Sequence, residues 1–116
     1  MNFMFYRCNK LTEIDVSGFN TSNVTNMHGM FSLCSSLTTL DVSGFDTSNV
    51  IRMAQMFQRC ENLKNLDLKS FNTSNVTRME GMFVSCSSLE QLDVSGFDTR
   101  TLTESETSYE GNFKEV

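Results

Sequence analysis

The sequence predicts an α/β solenoid of four stacked 26-residue units, with a parallel sheet on one face and short helices on the other. Three observations predict it. A ten-residue string recurs as DVSGFNTSNV (15–24), DVSGFDTSNV (41–50), DLKSFNTSNV (67–76) and DVSGFDTRTL (93–102). Cysteines keep the same period, at Cys8, Cys34, Cys60 and Cys86. So do the pairs Met4-Phe5, Met30-Phe31, Met56-Phe57 and Met82-Phe83. The period holds without insertion through residues 1–104, so equivalent residues of neighbouring units can lie side by side.

Each element can be justified along the unit MHGMFSLCSSLTTLDVSGFDTSNVIR (27–52). Met27, Met30, Phe31 and Cys34 stand at i, i+3, i+4 and i+7, the spacing of one face of a short helix. Leu40-Asp41-Val42-Ser43 alternates apolar and polar, as a half-buried strand does. Gly44 suggests a turn, and Phe45 is expected to return to the core. Asp46-Thr47-Ser48-Asn49 carries short polar side chains that bond to nearby backbone in turns. Val50 points inward again. Thr77 with Glu80 three residues on reads as a capping box that starts the next helix.

Composition narrows the function classes. Apolar residues make up 39% and charged residues 20%, which is a folded rather than a disordered composition. No run approaches the ~18 apolar residues of a membrane span, so no membrane insertion is expected. The opening MNFMFYRC lacks the pattern of a secretory leader. The net charge is −5 and the basic residues form no run, which argues against nucleic acid as a partner. One histidine leaves little acid–base machinery near neutral pH, and no Ser-His-Asp set or phosphate-cradling glycine loop is present. The chain therefore reads as non-enzymatic.

Repetition turns single positions into ladders. The cysteines lack the close pairing of zinc ligands, so they read as a column of small buried thiols; no metal or other cofactor is expected. Asp15, Asp41, Asp67 and Asp93 each lie between inward strand residues and so point outward. With Glu13 and Glu90 they outnumber Lys64 and Lys69 on that face. Stacked like charges are expected to raise one another's pKa values and attract a basic partner, unless each bonds to a neighbouring Ser17, Ser43 or Ser95. Glu13, Asp15, Asp41, Asp67, Glu90 and Asp93 are the candidate ligand-binding residues. Thr21, Thr47, Thr73 and Thr99 form a further ladder on the turns, a pattern that an ice- or mineral-binding array would share.

The string L-x-x-L-D-V-S-x-F, with Met-Phe-x-x-Cys-x-x-Leu before it and (N/D)-T-S-N-V-T after it, resembles the BspA-like leucine-rich-repeat surface proteins of bacteria. The resemblance covers residues 1–104 and implies a curved leucine-rich-repeat solenoid. It also implies a cell-surface or secreted location and a role in adhesion. On this basis the expected function is a protein-interaction or adhesion module that binds a basic or extracellular-matrix protein through its acidic strand face. A structural spacer that displays another domain is the alternative. Residues 105–116 read as a degenerate C-terminal cap or a disordered tail, with Tyr109 and Phe113 as apolar anchors. At the other end Met1, Phe3, Met4 and Phe5 enter directly on the repeat without a polar cap. End-to-end self-association through this N-terminal unit is the corresponding expectation.

Overall fold

A computed structural model of the chain describes residues 1–94 and 96–98. Its regular elements are two short strands, β1 (Asn65–Asp67) and β2 (Gln91–Asp93). They pair in parallel as an open sheet, with Asn65 opposite Gln91, Leu66 opposite Leu92 and Asp67 opposite Asp93. Isolated parallel bridges join Asn26 to Arg52 and Arg52 to Arg78. No helix occurs among the described residues. The expected α/β leucine-rich-repeat solenoid is corrected by these facts. Among the described residues its helical layer is missing, and its sheet is reduced to two strands of three residues each.

The reason lies in how the expected helix spends its backbone hydrogen bonds. In segment 27–34, Met30, Ser32 and Cys34 donate their N–H groups to the carbonyls of Met27, Gly29 and Phe31, three residues back. The N–H groups between them leave the segment altogether. Gly29 donates to Ala54 O at 2.9 Å, Phe31 to Met56 O at 2.9 Å and Leu33 to Gln58 O at 2.8 Å. A helix would need every one of these donors four residues back on its own chain. Left-handed residues recur as well, at Gly29 (φ 62°) and Leu33 (φ 64°), and they break any right-handed helix. The segment is a run of consecutive turns. Met27, Met30, Phe31 and Cys34 are fully buried on it all the same.

The same arrangement recurs in the segments that begin near residues 1 and 53, and its local turns recur near residue 79. Successive 26-residue segments, numbered 1 to 4 here, therefore lie next to one another in register. The core runs between them. Phe5, Phe31, Phe57 and Phe83 stack with ring centroids 5.6, 5.7 and 5.9 Å apart and planes within 6° of parallel. Offset stacks at this distance add to the burial of each ring. Leu37, Leu63, Leu68, Val50 and Val76 complete the interior. The expected capping box at Thr77 does not form. Thr77 donates its N–H to Ile51 O at 2.8 Å, and Glu80 pairs with Arg78 at 2.8 Å.

Candidate functional site

The acidic residues are the first candidates. Glu13, Asp15, Asp41, Asp67 and Glu90 are exposed, and Asp93 is half-buried. Glu13, Asp15, Asp41 and Asp67 line one shallow groove; Asp67, Glu90 and Asp93 line a second beside it. The carboxylates of Asp15, Asp41 and Asp67 do not stand as an open ladder. Asp15 Oδ1 accepts from the N–H of Ser17 at 2.9 Å and from its hydroxyl at 2.7 Å. Asp41 accepts from Ser43 N–H at 2.9 Å, and Asp67 from Lys69 N–H at 3.0 Å. These are Asx turns, in which a short carboxylate closes the chain's own bend.

The direction of titration agrees. Asp15 and Asp41 are held below the ordinary aspartate value by the serine hydroxyl and then the backbone N–H two residues on. Mutual repulsion would have pushed them up. The expected binding mode, a leucine-rich-repeat strand face with a free acidic ladder, is therefore corrected. The spacer reading rested on the same architecture and falls with it.

The threonine ladder is corrected by burial. Thr21, Thr47 and Thr73 are only 1–2% exposed. Each hydroxyl joins two segments. Thr47 Oγ1 donates to Asn72 O at 3.1 Å and accepts from Asn72 N–H at 2.8 Å. Thr21 does the same with Asp46, and Thr73 with Asp98. A hydroxyl committed in both directions inside the molecule presents no array to ice or mineral. Thr99 and Ser95, like the expected cap at 105–116 with Tyr109 and Phe113, lie outside the described residues.

The cysteines form a column of another kind. Cys34, Cys60 and Cys86 are buried free thiols, and Cys8 is half-buried. Each buried thiol donates to the carbonyl of a phenylalanine in the preceding segment: Cys34 to Phe5, Cys60 to Phe31 and Cys86 to Phe57, at 3.0–3.3 Å. Burial pushes the Cys34 and Cys86 thiols up to about 11, and Cys60 upward as well. A nucleophile or metal ligand needs the opposite shift, toward thiolate.

What is left open is an edge. Phe3, Met4, Tyr6 and Leu11 are exposed, and among the described residues Ile51 is the other large apolar side chain in that state. Phe3 meets Tyr6 at 5.3 Å and His28 at 5.0 Å, both edge to face, and the Arg7 guanidinium lies 5.5 Å from the Tyr6 ring centre. The backbone is open here too. In segment 2 the carbonyls of His28, Met30 and Ser32 accept from Phe3, Phe5 and Arg7. The equivalent carbonyls of Asn2, Met4 and Tyr6 accept from no backbone donor among the described residues. Apolar residues at this end are visible in the sequence. The carbonyl row is not, because it depends on which way each peptide faces.

Compared with known proteins, residues 1–115 match the model of a family described as "Mycoplasma protein of unknown function, DUF285". No curated protein and no solved structure matches the chain. The family match replaces the expected resemblance to BspA-like leucine-rich-repeat surface proteins. The turn-built segments and the two-stranded sheet agree with that correction.

Proposed function

Because the chain belongs to the DUF285 family, whose description carries no function, we propose a role from its own geometry: a non-catalytic protein-binding unit that associates with further copies of itself through the edge of segment 1. The observation that carries this is the coincidence of exposed Phe3, Met4, Tyr6 and Leu11 with the carbonyls of Asn2, Met4 and Tyr6. Contiguous exposed apolar surface marks interaction sites on folded proteins. Unpaired backbone groups along an edge invite pairing with another chain. The non-catalytic part is supported by the thiol column, whose potential nucleophiles are buried, hydrogen-bonded and shifted away from thiolate. No described helix is long and apolar enough to cross a membrane.

Sedimentation velocity over a wide concentration range tests the reading. The 116-residue chain should show mass that rises with concentration. Met4 is half exposed, so Met4→Glu should keep the fold while placing a charge on the edge, and should shift the protein toward monomer. A wild-type chain that stays monomeric at every concentration would sink the proposal.

A further inference from the structure

The edge of segment 1 separates its unpaired hydrogen-bonding groups into two regions. The row offers acceptors, the carbonyls of Asn2, Met4 and Tyr6. The rest of the segment offers donors, and interior contacts identify them. Thr38 donates its N–H to Thr12 O at 3.0 Å and its hydroxyl to the same oxygen at 3.4 Å. Asn49 and Asn75 each donate a side-chain N–H at 2.7 Å, to Ser22 O and Ser48 O. Ile51 and Thr77 donate backbone N–H groups to Thr25 O and Ile51 O, at 2.7 and 2.8 Å. Each of these bonds runs from a segment to the one before it. Segment 1 carries Thr12, Asn23 and Thr25 at the equivalent positions, all exposed. Among the described residues the N–H groups of Thr12 and Thr25 and the side-chain amide of Asn23 have no acceptor. An ordinary strand edge alternates donors and acceptors. This edge keeps them apart.

Charge divides in the same way. Residues 1–12 contain Arg7 and Lys10 and no carboxylate. Glu13 is the first acid, three residues past Lys10 and beyond the bend that separates the row from the donor region. Lys10 and Glu13 are both exposed, and neither forms an ion pair among the described residues.

Resting on the self-association just proposed, we infer that two copies join edge to edge about a two-fold axis, the row of each lying on the donor region of the other. Every contact is then made twice, as an isologous interface requires. Row against row would set carbonyls facing carbonyls and bring the basic residues of both copies together. Row against donor region gives the carbonyls N–H and amide donors. It also sets Lys10 of one copy beside Glu13 of the other, because the two residues flank the boundary that the axis exchanges. Phe3, Met4, Tyr6 and Leu11 lose water in the same contact. The interface uses segment 1 alone and closes on itself. Assembly therefore ends at two copies, whereas a head-to-tail contact would go on adding chains.

Sedimentation equilibrium of the full chain and two charge-swap variants tests the arrangement. The wild-type mass should level off at twice that of one chain. Lys10→Glu and Glu13→Lys change exposed side chains. Each variant alone places like charges at both symmetric contacts and should weaken the dimer about tenfold at low salt. An equimolar mixture of the two restores opposite charges at both contacts, so it should associate as tightly as wild type. A mass that climbs past two chains would overturn the two-fold arrangement and leave self-association standing. Variants that associate no better mixed than alone would overturn it equally. A wild-type chain that stays monomeric throughout would remove the arrangement together with the reading it rests on.

Discussion

At the scale of single residues, the repeated polar side chains serve the chain's own bends. Asp46 Oδ1 accepts from the N–H of Ser48 at 3.0 Å and from its hydroxyl at 2.6 Å. Asn20 and Asn72 make the same pair of contacts in the flanking segments, with Ser22 and Ser74. An amide therefore does the same structural work as the carboxylate. The carboxylate adds a pH dependence, because the Ser48 hydroxyl and N–H hold Asp46 below its ordinary value of 3.8. A depressed acid contributes stability above its unfolded pKa and loses it as pH falls through the folded value. Asp46→Asn should leave the melting temperature near pH 7 almost unchanged. It should also reduce the drop in melting temperature between neutral pH and pH values below about 4. An acid response identical to wild type in calorimetric scans would count against this account. This function of Asp46 is legible in the sequence as turn chemistry. The burial of Thr47 is not, since exposed and buried threonine turns read alike.

At the scale of the element, the apolar spacing of residues 27–34 was readable and its conformation was not. Spacing at i, i+3, i+4 and i+7 states which side chains share a side. A run of turns with a left-handed residue every fourth position shares them equally well. Gly29 is one of those residues, at φ 62°, and it also lies beneath the Phe3 ring. Gly29→Ala should cost about 1–2 kcal/mol for the left-handed backbone. Displacement of the ring adds to that loss. In a Phe3→Ala background the ring part disappears and the backbone part stays, so the two substitutions should couple. Additive losses in a double-mutant cycle measured by urea unfolding would show that the ring does not press on position 29. Bulky Leu33 at φ 64° is held in the same region by its bond to Gln58 O. Glycine is thus not required by the row at every left-handed site, which is why the sequence carries no regular signal for it.

At the scale of the whole molecule, neighbouring segments depend on one another for both core and backbone pairing. The phenylalanine stack, the thiol-to-carbonyl bonds and the threonine staples all cross from one segment to the next. Unfolding one interior segment would strip partners from two others. Thiol labelling reads this directly. Cys8 is half-buried at the edge, whereas Cys34, Cys60 and Cys86 are distributed through the interior. Near pH 8 without denaturant, Cys8 should react and the other three should stay protected. They should then become reactive together, at the urea concentration of global unfolding. Stepwise exposure of Cys86, Cys60 and Cys34 would instead reveal segments that open independently.

The sequence by itself determined the period of 26, the buried identity of Met27, Phe31, Cys34 and their counterparts in segments 3 and 4, and the turn chemistry of residues such as Asp46. These follow from spacing and side-chain type, which are properties of a string. Tertiary structure decided that Met27–Cys34 is not a helix, that Asp15, Asp41 and Asp67 bond to their own turns, and that Thr47 joins two segments. Each depends on where a peptide group finds its partner. For this chain that partner lies some 26 residues away, in a neighbouring segment rather than on the same turn.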